Sequence, residues 1–281
     1  MAAPSFARQT PNFGYPARRV HALLAAIFVI GALLRLVDVL RPVDQPSWRE
    51  ADLSSIARNY YRDGMNILYP RVDWGGSGPG YAEMEFPILP WLMALSYNVL
   101  GIQETTGRII SAVSSLLTIW LFIKLGKHLL RDESLLPATA FFAVSPLVVL
   151  VSTAIQSESL MLLFYVAAAY SFLRWIDSES SLDLALAAAA TAAAILVKGT
   201  AAHIGLFFAI LAFRHFGVRA LWNAKLLLFG FVALLPPVLW YLHARGLWLI
   251  YGNSLGVSNE THWAGMALLQ HSYIWKGIAT I

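Results

Sequence analysis

The stretch HALLAAIFVIGALLRLVDVL, residues 21–40, is apolar along almost its whole length, and only Arg35 and Asp38 interrupt it near its end. A bilayer has a hydrocarbon core about 30 Å thick, which an α-helix of roughly 20 apolar residues crosses. The stretch therefore predicts a membrane span. Six later runs of similar composition lie at 106–126, 134–153, 159–176, 181–197, 200–216 and 226–243. We thus predict about seven spans.

The composition of the whole chain agrees with a membrane protein. Of its 281 residues, 58% are hydrophobic and 13% are charged, and the mean hydropathy is +0.61, which excludes a water-soluble fold. We predict an all-α polytopic membrane protein whose surroundings are the lipid bilayer. The absence of cysteine excludes disulfides and thiolate metal sites. The net charge is only +4, and basic residues stand at the ends of apolar runs, so no nucleic acid is expected as a partner.

Polar segments flank and interrupt the predicted spans. Residues 1–20 are polar and basic and lack the small-residue cleavage site of a signal peptide, so we predict a cytoplasmic tail. The transmembrane domain is predicted at 21–243, with an outer loop at 41–105. A loop of this length usually carries a function. Residues 244–281 are predicted to form a second outer loop and to lead toward a further span.

The apolar segment 86–101 decides the topology of everything after it. If it does not cross, the basic residues between later spans all lie on the side of the N-terminus, as the positive-inside rule requires. These residues are Lys124, Lys127, Arg131, Arg174, Arg214, Arg219 and Lys225. The segment is short and contains Pro87 and Pro90, so we predict a juxtamembrane helix on the outer face. The acids of the outer loops and turns then share the face away from the cytoplasm.

The sequence SWREAD, residues 47–52, carries the strongest local signal in the long loop. Apolar residues follow it at helical spacing, which predicts an amphipathic surface helix with an acidic first turn. One interpretation is structural, because Ser47 and Glu50 match a capping box and acids here complement the helix dipole. The other is functional, because Glu50 and Asp52 at the membrane surface can serve as general base, general acid or metal ligands. The residues alone leave both interpretations open.

Further charged residues stand in the predicted outer loops and turns. Glu83 and Glu85 precede the apolar segment and are either solvated loop residues or substrate ligands. Ser157 can simply cap the next helix, but a carboxylate at membrane depth is costly, and Glu158 therefore favours a function. Lys198 is a basic residue on a face that usually has few. It either extends its side chain to the interface or binds a phosphate.

A group of aromatic and polar residues follows the last predicted span. His243 and Arg245 lie in sequence near Trp248, Tyr251 and Asn253. Aromatic residues are expected at any membrane interface. Together with His, Arg and Asn they also suit the recognition of a sugar or a phosphate, so His243 and Arg245 are candidate substrate ligands.

These motifs, taken in order, resemble those of the GT-C membrane glycosyltransferases. The similarity is to the protein O-mannosyltransferase-like group that includes the bacterial lipid A aminoarabinose transferases, and it covers residues 20–260. In that family an acidic pair opens the helix after the first span. Glu50 stands at the second acid, Arg49 replaces the first, and Asp52 follows two positions later. The later matches are Glu85-Phe86-Pro87, Ser157-Glu158 and Lys198-Gly199.

The resemblance implies a chemistry for these residues. Glu50 or Asp52 would activate an acceptor hydroxyl for a single inverting displacement at the anomeric carbon of the donor sugar. Lys198, with Arg49, would stabilise the phosphate that leaves. Glu85 and Glu158 would position hydroxyl groups of the sugar or the acceptor. A divalent metal is compatible with the acids, although no ligand spacing demands one.

The resemblance also implies a fold, substrates and a location. It predicts a GT-C-like helix bundle with juxtamembrane helices in the first outer loop. The donor would be a polyprenyl-phosphate hexose or pentose, and the acceptor a glycan, a lipid or a protein. The enzyme would lie in a bacterial inner membrane, with its N-terminus in the cytoplasm and its active site on the opposite side.

Two alternatives stay open at this point. A secondary transporter also uses intramembrane acids and a lysine, although it usually places them near the bilayer midplane in broken, repeated helices. Here the charges stand at span ends, and the sequence has no convincing repeat. The chain is alternatively a non-catalytic or truncated member of the family, because members usually have more spans.

Overall fold

The computed structural model describes residues 17–257, apart from 38, 42 and 44–46, together with residue 275. Most of the predicted tail and nearly all of the predicted loop beyond 257 lie outside these residues. The described helices are α1 (Ala17–Leu36), α2 (Trp48–Asp63), α3 (Ile88–Leu100), α4 (Thr105–Leu129), α5 (Asp132–Val144), α6 (Pro146–Ser152), α7 (Glu158–Ser178), α8 (Ser181–Val197), α9 (Ile204–Phe216) and α10 (Ala224–Tyr251). Two-residue strands β1 (Ala82–Glu83) and β2 (Asn253–Ser254) pair in parallel, and short 3-10 helices at Gly199–His203 and Gly217–Trp222 flank α9.

Among the described residues, five helical stretches are long and apolar enough to cross a membrane, and there are six when α5 and α6 count as one span. The predicted all-α polytopic membrane fold is confirmed. Every predicted span corresponds to a helix or a broken helix. The run predicted at 181–197 is the apolar helix α8, which with 17 residues is shorter than the stretches counted as long enough to cross. The run predicted at 134–153 is broken, because Pro146 has no N–H to continue the helix, and α5 and α6 meet at a bend of 49°.

Helix α3 lies along one end of the bundle. Just before it, the N–H of Phe86 donates to the carbonyl of Leu196 in the last turn of α8, at 2.9 Å. Just after it, Arg108 in the first turn of α4 donates to the carbonyl of Thr153, shortly before α7 begins, at 2.7 Å. Both ends of α3 therefore lie where α7 begins and α8 ends, which we call the loop end. With 13 residues, α3 is also too short to cross. A helix with both ends at the loop end fits a segment that does not cross, whereas its placement on the outer face stays a prediction.

Helix α2 packs beside α3 at the loop end. Leu53, Ile56 and Tyr60 of α2 share one buried core with Met93 and Tyr97 of α3. Their spacing of three or four residues places them on one face of each helix. Each fully buried apolar side chain contributes roughly 1.5–3 kcal/mol. This packing holds the polar first turn of α2 at the surface of the loop end.

Candidate active site

The predicted capping box at the start of α2 is half formed. The Ser47 hydroxyl oxygen accepts the N–H of Glu50 at 3.4 Å. The Glu50 carboxylate serves a different purpose: its Oε1 accepts the N–H of Ile155 at 2.6 Å and lies 3.2 Å from Nη1 of Arg108. Glu50 and Arg108 are both buried. Glu50 therefore joins α2 to α4 and to the turn before α7.

Arg108 is a site residue that sequence reasoning missed. It lies inside the predicted span 106–126, and its Nε donates to the carbonyl of Arg41 at 2.9 Å. A charged residue inside a span normally has a partner within the protein. That rule signals that Arg108 is paired, but it does not identify the acid.

We expect Glu50→Gln to destabilise the protein by about 3 kcal/mol, because removing one partner of a buried ion pair leaves the other uncompensated. The amide oxygen of Gln can still accept the N–H of Ile155, but Arg108 loses its counter-charge. Thermal unfolding of the purified protein in detergent measures the loss. The matched control is Glu179→Gln, because Glu179 is exposed, lies 3.8 Å from Lys225 and should matter little. Equal unfolding temperatures for both variants would contradict a structural role for Glu50.

Asp52 lines a cavity of about 610 Å³ at the loop end, which we call the Asp52 cavity. Its Oδ1 accepts a hydrogen bond from Nε1 of Trp74 at 3.0 Å, and the residue is half-buried. The other lining residues are Trp48, Arg49, Trp74, Ser254, Leu255 and Gly256. The structure thus separates the two predicted acids: Glu50 is buried in an ion pair, whereas Asp52 borders a space that a bound molecule can enter.

A glycine-rich hairpin brings Trp74 to Asp52. The N–H of Val72 donates to the carbonyl of Gly80 at 2.8 Å and closes the hairpin. Gly80 has a φ of +74°, and a Cβ added there would lie 2.5 Å from the carbonyl oxygen of Val72, so only glycine fits. Sequence reasoning missed Trp74, because the contact joins two residues 22 positions apart through a loop.

Four of the predicted residues meet as one charged network, formed by Arg49, Glu85, Lys198 and Glu158. Nη1 of Arg49 lies 3.3 Å from Oε2 of Glu85, and Oε1 of Glu85 lies 3.4 Å from Nζ of Lys198. Nζ of Lys198 also lies 2.9 Å from Oε1 of Glu158. The four side chains come from the start of α2, the segment before α3, the end of α8 and the start of α7. They converge because all four positions lie at the loop end.

The charge of Lys198 depends on its two carboxylate neighbours. Burial alone would lower the pKa of Lys198, but the negative charges of Glu85 and Glu158 outweigh it, and the pKa is raised. Its side chain keeps about a quarter of its surface exposed. The ammonium group is therefore charged at neutral pH and accessible from solvent.

Glu83 holds a wall of the Asp52 cavity. It is fully buried, and its Oε2 accepts the hydroxyl of Ser254 at 2.6 Å. The pairing of β1 with β2 adds backbone contacts, and Nε1 of Trp240 donates to the carbonyl of Met84 at 3.1 Å. Glu83 thus positions Ser254 and its neighbours, which sequence reasoning also missed because they lie on a distant segment.

His243 and Arg245 do not join the charged network. Nε2 of His243 lies 2.8 Å from the carbonyl oxygen of Leu68, and its ring meets the ring of Tyr69 edge-on at 5.4 Å. His243 therefore anchors a loop on α10. Arg245 is exposed, and none of the described side chains forms a hydrogen bond or an ion pair with it.

The described residues contain no group of three or more His, Asp and Glu side chains that could hold a metal ion. Between Glu85 and Glu158, the ammonium group of Lys198 takes the place that a cation would need. The compatibility of the acids with a divalent metal stays a prediction.

Comparison with known proteins gives the family. The sequence profile of the dolichyl-phosphate-mannose-protein mannosyltransferase family matches residues 84–241, more than half of the chain. The matched region contains Glu85, Glu158 and Lys198 and begins after α2. No curated protein matches the sequence. The chain therefore belongs to the dolichyl-phosphate-mannose-protein mannosyltransferase family, which comprises membrane glycosyltransferases that use polyprenyl-phosphate sugars.

Proposed function

We propose that the chain transfers a sugar from a polyprenyl-phosphate donor to an acceptor hydroxyl by one inverting displacement at the loop end, on the face away from the cytoplasm. The acceptor oxygen forms a bond to the anomeric carbon while the bond from that carbon to the phosphate oxygen breaks. The acceptor proton passes to Asp52, and polyprenyl phosphate leaves.

The observation that carries this proposal is the position of Arg49. Arg49 lines the Asp52 cavity and also reaches Glu85 of the charged network. It stands three residues before Asp52, so the two side chains share a face of α2. A carboxylate able to take a proton and a cation able to hold a phosphate are therefore adjacent, as a displacement between acceptor and donor requires.

Asp52 suits the role of the base better than Glu50. A general base must come within about 2.6–3.2 Å of the proton that it removes. The Asp52 carboxylate borders the cavity and uses Oδ1 for Trp74. Glu50 is only 7% exposed and is committed to Ile155 and Arg108.

Lys198 and Arg49 are suited to stabilise the leaving group, polyprenyl phosphate. A polyprenyl-phosphate sugar carries one negative charge, and the released polyprenyl phosphate gains a second as the bond to the sugar breaks. Cations beside the phosphate therefore stabilise the transition state more than the bound donor, which raises the rate. Glu85 and Glu158 hold Lys198 at this position and are proposed to hydrogen-bond to sugar hydroxyls.

Transfer by the purified full chain in liposomes tests the function. The probe is a radiolabelled polyprenyl-phosphate mannose, followed by other hexoses and a pentose on the same carrier. We expect the label to move to an acceptor, with release of polyprenyl phosphate. Folded protein that releases polyprenyl phosphate from none of these donors would overturn the proposal.

The distribution of basic residues supports the proposed face. Lys127 lies in the last turn of α4, Arg214 in the last turn of α9 and Lys225 at the start of α10, all opposite the loop end. The positive-inside rule assigns that opposite end to the cytoplasm.

Because the chain has no cysteine, single cysteines can test the face directly. Ser77→Cys lies in the exposed hairpin at the loop end, and Val218→Cys lies in the exposed turn at the opposite end. We expect an impermeant maleimide added to intact cells to label the protein with Ser77→Cys and not the one with Val218→Cys. The reverse pattern would place the site in the cytoplasm.

The upward shift of the Lys198 pKa makes a prediction for Glu85→Gln. Removing this carboxylate leaves burial to lower the pKa of Lys198, opposed only by Glu158. As pH rises, the variant should lose the ammonium charge earlier than wild type. The basic limb of the rate-against-pH profile is thus expected at lower pH in Glu85→Gln and unmoved in Glu179→Gln. Coincident basic limbs would show that Lys198 is not the titrating group.

A further inference from the structure

Two tryptophan rings form walls of the Asp52 cavity. Trp48 is 63% exposed and Trp74 is 51% exposed, and both line the cavity. The remaining lining is mixed: Arg49, Asp52 and Ser254 are polar, and Leu255 is apolar. A volume of about 610 Å³ falls in the range of small-molecule sites.

The contacts of these rings fix their positions in the wall. The guanidinium carbon of Arg49 lies 4.9 Å from the ring centroid of Trp48, a cation–π contact that holds both side chains. The indole N–H of Trp74 is held by Asp52 at 3.0 Å. Both tryptophans are thus tied to the polar residues of the cavity, which a tryptophan that merely contacts lipid does not require.

We propose that the Asp52 cavity binds the acceptor and that this acceptor is a saccharide, stacked on Trp48 and Trp74 with one hydroxyl at Asp52. This inference rests on the proposed function and names its acceptor class. A sugar ring has an apolar C–H face and a rim of hydroxyls. Indole rings match the C–H face, while the carboxylate of Asp52, the guanidinium of Arg49 and the hydroxyl of Ser254 match the rim of hydroxyls.

The position of Asp52 favours the same class. Its Oδ1 is bonded to the edge of Trp74, which leaves Oδ2 for the acceptor. A ring lying against Trp74 therefore brings a hydroxyl from its rim to the carboxylate. A peptide bound as an added strand would need a row of free backbone donors and acceptors. Here the backbone of Ser254 pairs in β2, and the N–H groups of Leu255 and Gly256 already donate to the carbonyl of Glu83 and to Oγ of Ser254.

Acceptor choice and one tryptophan variant test the inference. Purified protein in nanodiscs receives radiolabelled polyprenyl-phosphate mannose and, in separate reactions, mannobiose, cellobiose or a serine- and threonine-containing peptide. We expect transfer to a disaccharide. Trp48→Ala should raise the KM for that disaccharide at least tenfold and raise the KM for the donor much less, whereas Trp48→Phe should retain most of the affinity.

The control variant is Trp222→Ala, because Trp222 is 82% exposed in the turn opposite the loop end. It should behave as wild type. Binding is measured independently of transfer, by the change in tryptophan fluorescence when mannobiose or cellobiose is titrated into Asp52→Asn. We expect a saturable change that Trp48→Ala removes and Trp222→Ala retains.

The outcomes separate the two proposals. Transfer to the peptide alone, with Trp48→Ala equal to wild type, would overturn the saccharide inference and leave the transferase function intact. Saturable disaccharide binding that needs Trp48, with no release of polyprenyl phosphate from any donor, would support the binding site and overturn the proposed function. Absence of disaccharide binding and of disaccharide transfer would overturn the inference.

Discussion

Replacing Asp52 by Asn is expected to lower the rate of sugar transfer by about 10²- to 10⁴-fold, the usual contribution of a general base. Asn keeps the size of the side chain and an oxygen for Nε1 of Trp74, but it cannot take a proton from the acceptor. The unfolding temperature should stay close to that of wild type, because Asp52 is half-buried and belongs to no buried ion pair among the described residues. Initial rates at saturating donor and acceptor measure the effect.

The matched control for this prediction is Asp63→Asn. Asp63 is the last residue of the same helix, lies 2.9 Å from Arg71 and is 43% exposed outside the Asp52 cavity. Its exposed ion pair should contribute at most about 1 kcal/mol, so transfer should be nearly normal. The comparison with Glu50→Gln is more informative still. If Glu50→Gln abolished transfer at full stability while Asp52→Asn stayed active, the roles proposed for the two acids would have to be exchanged.

The second large effect is expected from Lys198→Met, which should lower the rate of transfer about 10²- to 10³-fold, as the loss of one group that stabilises developing charge does. Methionine keeps much of the apolar stem of lysine and removes the charge beside the phosphate. The loss should appear in kcat more than in the KM for the donor, because the second negative charge of the phosphate develops only during bond breaking.

Lys198→Arg and Lys225→Met complete this test. Arginine keeps the charge and should restore part of the rate, although its planar guanidinium cannot reproduce the contacts of a compact ammonium group. Lys225 is exposed opposite the loop end, so Lys225→Met should leave kcat unchanged. A Lys198→Met enzyme with normal kcat and a raised donor KM would show that Lys198 only binds the donor. Equal defects in Lys198→Arg and Lys198→Met would show that the geometry of the Lys198 contacts matters and that its positive charge alone does not suffice.

The fold was predictable because the bilayer imposes one dominant rule. A run such as 226–243 needs only length and hydropathy to be identified as a span, and it lies within α10. The convergence of Glu158 and Lys198 was predictable for a similar reason, since the start of one helix and the end of its antiparallel neighbour meet at one end of the bundle. The break at Pro146 was not predicted, because hydropathy does not register a missing N–H.

The different environments of Glu50 and Asp52 could not be predicted from the sequence. Residues two apart on an α-helix are about 200° apart around its axis, so the two carboxylates had to face nearly opposite directions. Which direction was buried depended on Ile155 and Arg108, which lie far along the chain. The contact of Asp52 with Trp74, 22 residues away, likewise depended on the closure of a hairpin. Sequence periodicity identifies which residues share a face of a helix, but only the tertiary structure shows which residues each face contacts.

The balance of the charged network has a consequence for ligand choice. Two cations, Arg49 and Lys198, are matched by two carboxylates, Glu85 and Glu158, so these four side chains together present no net charge to solution. Inorganic phosphate and nucleotides would gain little long-range attraction, and ionic strength should affect donor capture only weakly. Discrimination in favour of a lipid-linked phosphate then comes from the membrane, which confines the donor to two dimensions and supplies it at a high effective concentration.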